Sequence, residues 1–415
     1  MTSRMQRTLA FLALTLTAGV MFKIPYLKTV FYDAMITDLS VTNAQLGALT
    51  GTYSIVKVLI YIPCGILVDK FNNRIMLTVS TFLMAGLTLW YGFLPSYGTL
   101  QVIHVLFAFS NAVYWVAFIK AIRMLGSQDQ QGSLFGLSEG LRALSGAGIT
   151  FLGLWFLSIF GDGASGIYSV LYSYAGCYFL LTMAIWIFTP KDAAEGPTKT
   201  ATLKDYIQVL KVPGVWLVAL LVALAYSAQI VSEYTTPYLT NVFGMTVVTA
   251  GIIGTVRSYM TGVLSAPVFG KLADKTGSQS RMVMFLLLAE TLMAVAFFIV
   301  PGTPGLLFVV VTMVIVWSVL MYGVRGIYYS TMGEAGVPVG MTGTAAGIIS
   351  VIGYLPDTFL HTTIGTILDK NPGAPGFKIA FILMACFAIA AAVVALLIFR
   401  MGRRRLAAAE AAAAA

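Results

Sequence analysis

The chain is dominated by apolar runs of about twenty residues, separated by short polar turns. A helix rising 1.5 Å per residue needs roughly that length to cross about 30 Å of hydrocarbon. Lipid offers backbone groups no hydrogen-bond partner, so each run is expected to be helical. The runs fall near 8–34, 45–68, 75–95, 99–123, 131–160, 167–189, 213–240, 247–270, 281–301, 305–331, 339–368 and 376–400. They predict an all-α membrane protein of twelve transmembrane helices. Of the 415 residues, 59% are apolar and 10% charged, a balance that a water-soluble surface cannot carry.

The formal charge of +9 is spread over short basic clusters between the runs, as topology signals are, and implies no nucleic-acid partner. Placing both termini in the cytoplasm puts Arg4, Arg7, Lys70, Arg74, Lys120, Arg123, Lys271, Lys275, Arg281 and Arg403 to Arg405 on that side, with only Lys28, Lys370 and Lys378 opposite. A bacterial inner (plasma) membrane is the expected location. Cys64, Cys177 and Cys386 lie in or beside apolar segments without metal-ligand spacing and read as packing residues, so no metal is expected. The polar stretch Pro190 to Lys211 divides the spans six and six. The expected organisation is an N-terminal bundle over 1–189, a cytoplasmic linker over 190–212 and a C-terminal bundle over 213–406. Residues 407–415 read as a linker or tag remnant.

The halves repeat. Gly65-Ile-Leu-Val-Asp69-Lys70 after span two recurs as Gly270-Lys-Leu-Ala-Asp274-Lys275 after span eight, and Pro25-Tyr26-Leu27 in span one recurs as Pro237-Tyr238-Leu239 in span seven. Such repeats imply two pseudo-symmetric six-helix bundles about an axis along the membrane normal, with a binding cavity near mid-bilayer. The repeated loop element resembles the signature of the major facilitator superfamily, and the resemblance covers essentially the whole chain. It implies a cytoplasmic gate in which Asp69 and Asp274, with Arg74, hold the ends of the halves together. Asn72 and the late Arg281 depart from the pattern. Two basic residues in spans two and eight resemble bacterial oxyanion and organic-anion carriers of the oxalate/formate and nitrate/nitrite groups.

An ionisable group at bilayer centre costs about 3 kcal/mol or more on insertion scales, so each needs a partner or a job. Lys23 in span one, Lys57 in span two and Arg257 in span eight are the candidate substrate site. Tyr53, Lys57 and Tyr61 are spaced four apart, as are Arg257, Thr261 and Ser265, so each set shares a helix face. Lys57 stands twelve residues before Asp69 and Arg257 thirteen before Gly270, which puts both about 18–20 Å from the cytoplasmic loops. A guanidinium matches oxyanions bidentately and an ammonium supplies a mobile charge, so the trio suits a small carboxylate, sulfonate or phosphate-like anion. Tyr26, Tyr238 and Tyr322 are aromatic candidates for its walls. Permanent pairing of each base with an acid is the competing reading.

Asp357, four residues before His361, and Glu139 are the proton-coupling candidates, although Glu139 also sits three residues before Arg142 and can neutralise it. Glu290 on span nine reads as peripheral. No nucleotide-binding loop, cofactor site or catalytic constellation is present. The expectation is a monomeric secondary transporter working by alternating access, by antiport with a counter-anion or by proton symport. A drug or neutral-metabolite carrier with structurally paired charges, or a non-transporting sensor, remain as alternatives.

Overall fold

Interruptions in the spans fall where proline or an ionisable residue stands. The computed structural model describes residues 4–125, 131–161, 166–190, 203–338 and 341–414, which are helical with no strand among them. Span one is α1 (Arg4–Val20) and α2 (Lys28–Leu39), joined by a turn. Spans two to six are α3 (Asn43–Lys70), α4 (Asn73–Gly92), α5 (Tyr97–Met124), α6 (Gln131–Phe160) and α7 (Ile167–Phe188). Within the expected linker, 191–202 lie outside the described residues and α8 (Leu203–Leu210) forms a short helix. Span seven is α9 (Pro213–Ser232) with α10 (Thr235–Phe243). Span eight is α11 (Val247–Thr255), a π-helical turn over Val256–Met260, and α12 (Thr261–Thr276). Spans nine and ten are α13 (Gln279–Ile299) and α14 (Leu307–Ile327). Span eleven is α15 (Thr342–Gly353), a 3₁₀ turn over Leu355–Thr358 and α16 (Leu360–Lys370), and span twelve is α17 (Ala374–Ala414). The alanine-rich tail continues α17 as helix through Ala414, where the sequence suggested a linker.

Proline explains two breaks. Pro25 and Pro237 cannot donate to the carbonyl four residues back, and α1 and α9 end just before those carbonyls, at Val20 and Ser232. The repeated Pro-Tyr-Leu therefore marks an interruption built into the first helix of each half. Asn72, which departs from the loop signature, is the N-cap of α4, its side chain accepting from the backbone N–H of Arg74 at 3.0 Å. Its counterpart Gly277 ends α12 in the left-handed region at φ 69°, a conformation that favours glycine.

The chain forms two compact units, Met1–Pro197 with Met245–Thr255, and Thr198–Gly244 with Val256–Ala415. The α11 half of span eight thus groups with the N-terminal unit, packing on α2 and α6, where the sequence division assigned all of span eight to the C-terminal bundle. In the N-terminal unit α4 pairs with α7 and α1 with α6. A Cβ on Gly19 of α1 would stand 2.4 Å from the Arg142 carbonyl oxygen of α6, so this approach requires glycine. In the C-terminal unit α9, α13 and α17 enclose a core of Val218, Leu221, Val222, Leu287, Ala391 and Ala395.

Spans three, six, nine and twelve carry rows of exposed large apolar side chains, including Phe82 on α4, Leu180 on α7, Leu292 on α13 and Val393 on α17. These are lipid-facing surfaces, since water would penalise them. Eight spans among the described residues are long and apolar enough to cross a bilayer by length and composition. The other four, spans one, two, eight and eleven, are those that carry Lys23, Lys57, Arg257 and Asp357.

Candidate functional site

In the N-terminal unit the structure gathers three of the predicted residues. Tyr26 sits in the turn of span one, and its ring meets that of buried Tyr53 edge-on at 5.7 Å. Lys57, one turn along α3 from Tyr53, holds its Nζ 4.8 Å from the Tyr53 ring centroid and 5.8 Å from that of Tyr26. Cation–π attraction orients the ammonium between the two rings. Asn111 of α5 donates to the Tyr53 hydroxyl at 3.1 Å and fixes that ring.

Lys23 lies in the same turn as Tyr26, against the glycine face of α6. A Cβ on Gly146 would stand 2.7 Å from both its Cε and its Nζ, so glycine makes room for the amine. Arg142, also on α6, is close enough to Lys23 to interact with it electrostatically. The Arg142 guanidinium carbon lies 4.6 Å from the Trp115 ring centroid, and Trp115 packs edge-on against Phe22. Sequence reasoning paired Arg142 with Glu139 and so missed this stacking. Glu139 is on α6, and its side chain lies outside what the structure describes. Cations interleaved with aromatic rings therefore face the break in span one, a geometry suited to an anion with an organic body.

In the C-terminal unit Arg257 is buried at 3% exposure in the π turn of span eight. Its Nη1 donates to the Ser232 carbonyl and, at 2.7 Å, to the Thr235 hydroxyl, so the guanidinium caps the broken end of α9. Its Nη2 is buried with no hydrogen-bond partner. No carboxylate among the described residues ion-pairs with it, although Glu233, itself holding a buried oxygen without a partner, is near enough to interact electrostatically. Counted from the same loop aspartate, Lys57 is twelve residues back and Arg257 seventeen. The expectation of matching depth is therefore corrected: the two differ by more than a helical turn, because Gly270 and Asp69 are not equivalent reference points.

Tyr322 of α14 joins the Arg257 neighbourhood, its hydroxyl donating to the Ser258 carbonyl. Tyr238 does not join it. Its ring is embedded among Phe243, Phe377 and Phe381, with centroids 4.9–5.4 Å away. Asp357 and His361 meet as their spacing predicted, because the 3₁₀ turn of span eleven brings the carboxylate to 3.1 Å from His361 Nε2. The same oxygen accepts from the Tyr226 hydroxyl at 3.1 Å, and Tyr234 donates to the His361 carbonyl at 2.9 Å. The two tyrosines, from α9 and its junction with α10, had no signal in the sequence because their partners lie more than a hundred residues away.

Of the residues expected at a cytoplasmic gate, Arg74 lies over the Trp186 ring at 4.3 Å and donates to the Trp186 carbonyl, while exposed Asp274 accepts from Gln279 at 2.7 Å. The Asp69 side chain lies outside what is described. His104 is an enclosed core residue, 2.8 Å from the Leu100 carbonyl oxygen and edge-on to Tyr91 and Phe107.

Twelve spans and a lipid-facing outer surface, with Lys23, Lys57, Arg257 and Asp357 carried on the four spans of lower apolar continuity, define an integral membrane carrier. The family model of the Major Facilitator Superfamily matches residues 8–359, and the chain belongs to that family. It is a transporter of the alternating-access type and not an enzyme. Among its relatives, "Inner membrane protein YqcE" of Escherichia coli (strain K12) is 27% identical over 90% of each chain. "Probable nitrate/nitrite transporter NarK2" of Mycobacterium tuberculosis is 24% identical over 85% of this chain and 87% of the relative. A bacterial homologue of the human lysosomal transporter Spinster, solved in an inward-facing, unoccupied conformation, shares the fold with a TM-score of 0.80 at 19% identity. That similarity covers 97% of this chain and 99% of the homologue.

Proposed function

We propose that this protein moves a small anionic metabolite, a carboxylate, sulfonate or phosphate-like molecule, across a bacterial inner membrane with both termini cytoplasmic. The observation that carries the reading is Arg257. A buried guanidinium on a membrane span is held by a carbonyl and a hydroxyl rather than by a carboxylate, and one of its donor nitrogens has no partner. A solute oxyanion supplies both the missing acceptor and the missing charge. Within the N-terminal unit, Lys57 and Lys23, set among Tyr26, Tyr53 and the Trp115 cluster, are further cationic groups. The probable nitrate/nitrite transporter among the relatives supports an anion as cargo.

Coupling follows from charge. A cavity holding net positive charge resists reorientation until an anion fills it, which favours exchange. The Tyr226–Asp357–His361 cluster offers the titratable group that symport requires. The test is flux through purified protein in liposomes, screening nitrate, acetate, malonate, phosphate and a sulfonate against an uncharged nucleoside. Saturable movement of one or more anions, with the nucleoside excluded, is expected. Movement of the nucleoside with no anion accepted would overturn the reading.

A further inference from the structure

We propose that Arg325 is a second oxyanion-binding subsite, within the C-terminal unit, that takes one carboxylate, sulfonate or phosphate group of the cargo. This deepens the anion reading and rests on it. Arg325 lies near the end of α14, one turn beyond Tyr322. Its side chain is exposed, and it lines a small hollow with Tyr226, Gln229, Glu290 and Tyr328.

The guanidinium is held unlike those of other arginines in the chain. Arg257 donates to Ser232 and Thr235, Arg74 to Trp186 and Arg281 to Thr276. Among the described residues Arg325 donates no hydrogen bond and makes no ion pair. Its Cζ lies 5.9 Å from the Tyr322 ring centroid, and Tyr328, Tyr354 and Tyr226 are near enough to interact with it electrostatically. Glu290 is the obvious counter-ion, yet one of its oxygens is buried without a partner and no ion pair joins the two across the hollow. The hollow that both residues line has room for about one water molecule, so an anion would meet the guanidinium at its exposed side and not inside that hollow.

A fork of five N–H donors on a membrane span, left without protein acceptors, is matched by a planar or tetrahedral oxyanion. The surrounding tyrosines suit the organic remainder of such a ligand. Tyr328 and Tyr354 share a hydroxyl contact at 3.1 Å, and Tyr354 packs edge-on against Tyr226 at 4.8 Å, so this wall is fixed before a ligand arrives. Tyr322 touches both cationic positions: its hydroxyl holds the carbonyl of Ser258, next to Arg257, and its ring faces Arg325. The two guanidiniums therefore flank one aromatic ring.

The experiment is a thermal-unfolding titration of purified full-length protein with nitrate, acetate, malonate, sulfate and inorganic phosphate, each added separately. Wild type, Arg325→Gln, Arg325→Lys, Glu290→Gln, Arg257→Gln and the Arg325→Gln/Glu290→Gln double variant are compared. Arg325→Gln is expected to weaken the apparent affinity for the stabilising anions by about tenfold or more, the scale of one lost charge-assisted hydrogen bond. Arg325→Lys keeps the charge but loses the fork, and is expected to weaken affinity by a smaller factor. Affinities within twofold of wild type for both Arg325 variants, with Arg257→Gln impaired, would overturn the subsite and leave the anion reading standing. If Glu290→Gln in the double variant restored the ligand-free unfolding temperature and anion affinity lost in Arg325→Gln, Arg325 would be a structural counter-ion and the subsite would fall. Stabilisation of wild type by none of the five anions would remove both.

Discussion

Three of the guanidiniums in this protein donate to carbonyls at the ends of helices. Arg257 bonds the last carbonyl of α9, Arg281 the last carbonyl of α12, and Arg74 a carbonyl in the last turn of α7. The negative end of a helix dipole offers a cation partial compensation, about 0.3–1 kcal/mol at exposed sites and more when buried. Such a cap steadies the side chain without neutralising it. A carboxylate partner neutralises, and would leave little field for a solute. For Arg257 the cap is therefore compatible with binding, whereas a salt bridge is not. At Asp357 the geometry is different, since one oxygen serves both Tyr226 and His361. If that carboxylate takes up the coupling proton, Asp357→Asn, which mimics the protonated form, should abolish uptake driven by a pH gradient and preserve counterflow between equal anion pools. Uptake and counterflow both unchanged in liposomes would exclude Asp357 from coupling.

Elements were legible to different degrees. Span positions followed from length and apolarity, because the bilayer imposes a fixed thickness on every helix alike. The breaks were only partly foreseen. Pro356 stands at the interruption of span eleven, and Pro25 and Pro237 at those of spans one and seven, yet the chain does not announce whether a membrane proline kinks a helix or parts it. The π turn at Arg257 has no local signature. Tyr26, Tyr53 and Lys57 converge because i,i+4 spacing on α3 and the turn of span one bring them together, and the first of these relations is readable from spacing. Tyr238 occupies the position equivalent to Tyr26 but packs among phenylalanines contributed by α17, which no local pattern encodes. Glycines in span five allow close helix approach only at some positions. Gly146 and Gly153 lie against close neighbours, while Gly140 and Gly148 have open space around them. Gly19 also lies in close approach, and beside the Ser145 side chain its neighbours on α6 include the Arg142 backbone, which cannot move aside. Gly19→Ala should therefore cost about 1–3 kcal/mol, the usual scale of overpacking, read as a lowered unfolding temperature in detergent. Gly148→Ala should cost far less.

At the scale of the molecule, the division of labour among spans organises the account. Spans three, six, nine and twelve meet lipid with apolar rows, and the ionisable groups concentrate in spans that lack full apolar continuity. Membership of the Major Facilitator Superfamily explains that arrangement, since alternating access requires polar surface inside and apolar surface outside. Glu290 is an exception within a peripheral span: it points inward at 2% exposure and lines the hollow with Arg325. Its helix was correctly placed by the sequence, and its direction was not. The central claim is that cationic side chains in each unit are held ready for an anionic cargo. Calorimetric titration of a transported anion into wild type, Lys57→Gln and Arg257→Gln, with ligand-free unfolding temperatures recorded alongside, tests it most directly. Each substitution should weaken binding by about 10–150-fold, the equivalent of ~1.5–3 kcal/mol for a charge-assisted hydrogen bond. Binding within twofold of wild type by both variants would contradict it.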